Sequence, residues 1–125
     1  MVSTVIDGKT AIINIEKNII SENVDILEEK LNYIKDAGIL NFVFDFHNID
    51  YMCSSALGLI ASTLRVSGEK GGKVYFCSLS SKLTSVFEAT RFLTIVNTAK
   101  NVDEALSMID SVCVERSHDN YSVII

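Results

Sequence analysis

Apolar residues in this chain come in short blocks, and the spacing inside the blocks alternates between strand-like and helix-like. Residues 2–6 and 10–15 are two brief apolar runs with Asp7-Gly8 between them, a strong hairpin signal. From 22 to 37 the apolar positions Val24, Leu27, Leu31 and Ile34 share one helical face, and Gly38 stops that helix. Residues 41–46 contain the run Phe42-Val43-Phe44-Asp45-Phe46, which reads as a buried strand. Helical spacing then returns at Leu57, Ile60, Ala61 and Leu64. This second helix runs from Ser54 or Ser55 to about Glu69, and Gly71-Gly72 ends it.

The alternation continues through residues 73–77, an apolar strand that ends in a serine-rich turn. A third helix spans 81–90, with Leu83, Val86 and Phe87 inward, and a short strand follows at 94–97. The last helix opens at Asn101 or Val102. Asp103 and Glu104 lie in its first turn, where the helix dipole favours them, and Ala105, Leu106 and Ile109 face the core. Strands alternating with helices after a hairpin predict an α/β fold with a mixed, mainly parallel sheet. Four to five strands and about four helices, packed mostly on one side, are expected.

At 125 residues and 48% hydrophobic content the chain is one domain, long enough to bury a core. No apolar run reaches the 18 or so residues needed to span a bilayer, and the first residues do not read as a signal peptide. A cytoplasmic protein is expected. Net charge is −5, with Lys and Arg scattered, which argues against nucleic acid as a partner. Cys53, Cys77 and Cys113 are odd in number and lack CxxC spacing, as expected of reduced thiols. Residues 111–125 break the pattern, being polar at 115–120 and then apolar at Tyr121, Val123, Ile124 and Ile125. This tail is expected to dock on the domain or on a neighbour, because a short, uncharged, β-prone segment left exposed invites aggregation.

The candidate chemistry sits where the buried strand hands over to the second helix, in Asp50-Tyr51-Met52-Cys53-Ser54-Ser55-Ala56-Leu57-Gly58. Serine there is a good helix cap. It is also a kinase target, and a phosphate would add roughly 1.5–2 negative charges to the surface. Cys53 stands before a helix N-terminus, a place that activates thiols, but a small half-buried residue without chemistry is the simpler reading. Asp45 ends a strand much as a receiver aspartate does. Asp7 stands alone in a hairpin turn, however, where a receiver needs a pair of acids. Asp45 is instead expected to accept bonds from the loop before Ser54. Residues 68–73 lack phosphate-loop spacing and read as a helix stop. His47 and His118 have no second ligand at metal spacing, so no metal is expected. No triad or paired-carboxylate arrangement stands out, so neither an enzyme nor a cofactor is expected.

This order of elements, with Cys53-Ser54-Ser55-Ala56-Leu57-Gly58 opening a helix after an apolar strand, resembles the STAS domain, whose single-domain members are bacterial anti-sigma factor antagonists. Two later pieces also match: Gly71-Gly72-Lys73-Val74 leading into a strand, and Val102-Asp103-Glu104-Ala105-Leu106 opening the last helix. The likeness covers about residues 3 to 110. It implies a phosphorylation-controlled protein-binding switch in transcription regulation. Ser54 would be the acceptor, and Cys53, Ser54, Ser55, Ala56, Leu57 and Gly58 would form the partner surface. The implied partners are an anti-sigma factor that is also a serine kinase, and a serine phosphatase. A monomer or weak dimer is expected. The family has Asp where Cys53 stands and Gly where Ala56 stands. A thiol accepts hydrogen bonds poorly, so the first departure favours an alternative: an interaction or scaffold module that is never phosphorylated.

Overall fold

The computed structural model describes residues 2–47, 49–94 and 96–112. The elements run β1 (Val2–Asp7), β2 (Thr10–Ile15), α1 (Val24–Asp36), β3 (Asn41–Asp45), α2 (Ser54–Glu69), β4 (Val74–Cys77), α3 (Ser81–Ala89), β5 (Asn97–Ala99) and α4 (Val102–Val112). The strands form one sheet in the order β1-β2-β3-β4-β5. β1 and β2 pair antiparallel, from Val2 opposite Ile15 to Asp7 opposite Thr10. The remaining neighbours are parallel. The mixed five-stranded sheet with four helices is therefore as expected. The expected docking of the tail, residues 111–125, rests on residues beyond 112 and so lies outside the described residues.

The hairpin turn is centred on Gly8 and Lys9. Gly8 takes φ +64°, the left-handed value that a type II′ turn needs at its first central position. The central strands are apolar on both faces, as parallel strands covered by helices must be. Phe42, Phe44 and Phe46 line one face of β3 and the residue after it, stacked at 6.4 and 6.0 Å between ring centroids. Phe76 and Phe87 close on them, their own centroids 4.8 Å apart. Leu27, Leu31, Ile34, Ala56, Ile60 and Leu83 complete this core, so α1, α2 and α3 share one side of the sheet. On the other side Ala105 and Ile109 of α4 cover Ile12, Val43, Tyr75 and Cys77.

One strand lies elsewhere than the spacing predicts. The apolar run Phe92-Leu93-Thr94 forms a turn of 3₁₀ helix, and β5 starts only at Asn97. Arg91, at φ +65°, turns the chain sharply just before this run. Leu93 and Val96 pack onto the core from the connection instead of from a strand.

Candidate functional site

The loop between β3 and α2 is built from its neighbours upward. The Phe46 amide donates to the Cys77 carbonyl (3.0 Å), which carries the line of β3 one residue past its end. Asp45 Oδ1 accepts the His47 amide (3.0 Å), so this carboxylate serves the start of the loop, as expected. Ile49 and Met52 are buried and anchor the loop to the aromatic core.

A parallel bridge between Ile19 and Met52 then ties this loop to the connection before α1. The Ile19 amide donates to the Tyr51 carbonyl (3.3 Å), and the Cys53 amide donates to the Ile19 carbonyl (2.8 Å). Side chains alternate across such a bridge. Ile19 and Met52 point inward, while Ile20 and Tyr51 stay 41% and 50% exposed. Two apolar side chains are thus held outward by backbone that cannot turn them in.

Asn18 locks the arrangement. Its Oδ1 accepts the amides of Asp50 (2.9 Å) and Tyr51 (3.3 Å), and its Nδ2 donates to Asp50 Oδ1 (3.1 Å). Asn23 supports it, donating from Nδ2 to the Asn18 carbonyl (3.1 Å) and accepting the Ile20 amide (2.8 Å). Lys82 Nζ lies 3.7 Å from the other oxygen of Asp50. Asn18, Ile20 and Asn23 lie outside the serine motif. No short-range signal marks them, since the bonds of Asn18 to Asp50 and Tyr51 span 32 and 33 residues.

Helix α2 corrects the expected capping. Cys53 holds the cap position, with extended backbone at φ −72° and ψ 165°, and its side chain makes no cap bond. Its carbonyl accepts the Leu57 amide (3.1 Å). Ser54 and Ser55 are instead the first two helical residues, both exposed. The amide of Cys53 is already committed to Ile19, and this sets the register by which the helix starts one residue earlier than a serine cap would give.

The remaining motif residues divide by burial. The Ala56 side chain is fully buried in the core, so its methyl group faces the protein's own interior. Leu57 is half-buried, and Gly58 is exposed, with open space where a side chain would stand. The outward surface therefore comprises Ser54, Ser55, Gly58 and the rim of Leu57, with Tyr51 and Ile20 beside them.

The charge environment suits an anion at this place. The first turn of α2 carries no acidic residue. Its leading amides have no intrahelical acceptors, and the dipole is positive there. The two described cysteines differ sharply. Cys53 is half-buried at the surface. Cys77 is buried under α4 on the opposite face of the sheet, and burial, with Asp45 and Glu104 nearby, pushes its thiol up to about 12. Among the described residues no group of three His, Cys, Asp or Glu is placed to hold a metal. None of the described helices is long and apolar enough to cross a membrane.

The family model described as "STAS domain" matches residues 1–105. An anti-sigma-B factor antagonist of Staphylococcus aureus is 30% identical over 64 residues, 51% of this chain, which spans 59% of that relative's length. Among solved structures, an anti-sigma-factor antagonist (STAS) domain protein from Planctomyces limnophilus superimposes with a TM-score of 0.77 at 14% identity, covering 86% of this chain and 96% of that one. The Bacillus cell fate determinant SpoIIAA in its phosphorylated form gives a TM-score of 0.71 at 16% identity, covering 87% and 99%. At such identities the structural likeness speaks for the fold.

Proposed function

The chain belongs to the STAS domain family, and from that premise we propose that it is an anti-sigma factor antagonist: a protein-binding switch of bacterial transcription, set by phosphorylation of Ser54. The observation that carries this reading is the position of Ser54. It is exposed, it opens a helix, and it follows directly on the bridged loop that holds Tyr51 and Ile20 outward. Exposed Tyr51 and Ile20 suit a protein partner, since aromatic anchors beside a polar rim are what partner surfaces bury.

The switch is electrostatic. Unmodified, the first turn of α2 carries no charged side chain and docks the partner. A phosphate adds bulk and roughly 1.5–2 charges at the point of contact. The α2 dipole tolerates that charge within the domain, so its effect falls on the partner. The proposed partners are an anti-sigma factor with serine kinase activity and a serine phosphatase that resets the site. The protein itself acts by binding.

Calorimetry with a purified partner kinase tests this. Ser54→Ala is expected to bind as the natural protein does, and Ser54→Asp is expected to lose most of the affinity. Equal affinities for the two variants would remove the switch. A second reading, a constitutive interaction module, draws on Cys53, which offers the acceptor serine no carboxylate. Mass spectrometry of the protein from its own cells separates the two, since only the switch requires phosphate on Ser54.

A further inference from the structure

Helices α1, α2 and α3 lie side by side on one face of the sheet, in the order of the strands they connect. Each flank of α2 is therefore assigned to a neighbour. Lys35 of α1 donates to Ser62 Oγ (3.4 Å), so the flank carrying Ser62 meets α1. Ser55 stands two turns before Ser62 on that same flank. Buried Ala56, Ile60, Thr63 and Ser67 fix the side that faces the sheet. One residue of helical rotation from Ser55 then puts Ser54 on the other, outer side, towards α3.

Lys82 approaches the same place from α3. Its Nζ lies 3.7 Å from Asp50 Oδ2, in the loop that leads into α2. Thr84, on the opposite flank of α3, lines a cleft with Thr98 and Ala99 of β5 instead. Ser54 and Lys82 both stand in the first turn of their helices. Packed helices run about 8–10 Å apart axis to axis, a gap that a phosphoserine and a lysine reaching from its two sides close. The present partner of Lys82 is a weak competitor. At 3.7 Å the ion pair is longer than a hydrogen bond, and its side chains are 77% and 48% exposed. Asp50 keeps its bond from Asn18 Nδ2 through the other oxygen (3.1 Å), whatever Lys82 does. Arg65 of α2 is three turns further along the helix and lies 3.8 Å from Glu69.

We propose that Lys82 is the internal counter-ion of phosphorylated Ser54, handed over from Asp50 when the phosphate arrives. The inference rests on the reading of Ser54 as the acceptor. A phosphate offers roughly 1.5–2 charges and three acceptor oxygens against the single carboxylate oxygen that Lys82 now faces. The hand-over takes the cation from Asp50. A partner then meets two negative groups, the phosphate and Asp50, where it had met a neutral serine and a compensated carboxylate.

Phosphoserine encoded genetically at position 54, with no kinase involved, tests this by phosphorus NMR titration at low salt. The second ionisation of the phosphate is expected to lie lower in the natural chain than in Lys82→Gln by roughly 0.5 pH unit, the size of one exposed cation in contact. Lys82→Arg is expected to keep the lower value. Phosphoserine encoded at position 55, on the α1 flank, is expected to titrate alike with and without Lys82. Lys82 is exposed, so these substitutions leave the fold intact. Identical titration of phosphorylated Ser54 in the natural chain and in Lys82→Gln would overturn the proposal. So would an equal shift at both positions, since that reports only the overall charge of the domain. Either failure leaves the switch itself standing, because calorimetry with the partner decides that separately.

Discussion

The two ends of β3 are built in opposite ways. At its N-terminal end, polar groups are turned on the domain itself. Ser67 Oγ donates to the Leu40 carbonyl (2.7 Å), and the Gly72 amide donates to the Ser67 carbonyl (2.8 Å). Asn41 donates to Thr10 Oγ1 (3.2 Å) and accepts the Lys73 amide (2.9 Å), so one side chain joins β2, β3 and the start of β4. At the C-terminal end, Asn18 and Asp50 perform a similar bridging, but what they fix is a surface carrying exposed Ile20, Tyr51 and Ser54. Similar chemistry closes the fold at one end and presents side chains at the other.

The largest expected effect tests the closed end. A side-chain carbon added at Gly72 would run into the carbonyl oxygen of Leu40, a backbone atom that cannot swing aside. Gly72→Ala should lower stability by about 2–3 kcal/mol, read from urea unfolding. Partner affinity of the folded protein should not change. If Gly72→Ala weakens binding as much as it weakens folding, the two ends are coupled and the contrast fails.

Next in size is a pH effect that sharpens where the open end stops. Cys77 ends β4 beside Asp45 and is buried under α4, on the face of the sheet opposite α2, with its thiol raised from 9.0 to about 12. The folded state therefore keeps this proton after the unfolded chain has lost it. Stability from this group is complete below about pH 9 and is lost as pH rises from there towards 12. Cys77→Ala should flatten that part of the stability curve. An unchanged slope would mean that solvent reaches the thiol under α4, so that the C-terminal end of the sheet is open on that face as well.

The sequence makes the order of elements legible, because periodicity is a local property. Leu27, Leu31 and Ile34 fall on the buried face of α1, and Phe42, Val43 and Phe44 are buried in β3, where their spacing puts them. Residues 94–97 were misleading for a physical reason. Apolar content marks burial, and Leu93 and Val96 do pack on the core, but Leu93 does so from a 3₁₀ turn and Val96 from the connection before β5. The three-residue β5, exposed at Asn97 and Thr98, carries no periodic signal. At the site, the serine motif marks the loop between β3 and α2. Its cap was misjudged because intrinsic preference favours Ser, while the amide of Cys53 is held by Ile19, 34 positions away in sequence. The clamp of Asn18 on Asp50 is a tertiary pairing of the same kind, and no window of sequence contains both halves.

That clamp gives the third expected effect. Asn18→Ala removes the acceptor of two loop amides and one donor to Asp50. All three groups lie in exposed surroundings and regain water, so the stability cost should be about 1 kcal/mol. Binding should suffer more than folding, because Tyr51 is no longer held outward in one orientation. Thermal melting and calorimetry on the same preparation compare the two losses. Equal losses would make the clamp merely another closing device, like Asn41 at the far end.

The smallest expected effect on stability belongs to Ser54, and its smallness is informative. Ser54 is the first residue of α2, exposed, and no acidic residue shares its turn. A carboxylate there meets the positive end of the helix dipole, worth typically 0.3–1 kcal/mol. Ser54→Asp should therefore melt at the same temperature as the natural protein or slightly above it, and Ser54→Ala should differ little from either. High salt should erase the gain, since an exposed charge is screened. A surface built to present side chains has to accept a charge without disturbing the fold beneath it; otherwise a phosphate would act by unfolding the domain instead of by repelling a partner. Ser54→Asp melting well below the natural protein would mean that the charge disrupts Cys53 and the Ile19 bridge, and would replace the electrostatic switch with local unfolding of this end of β3.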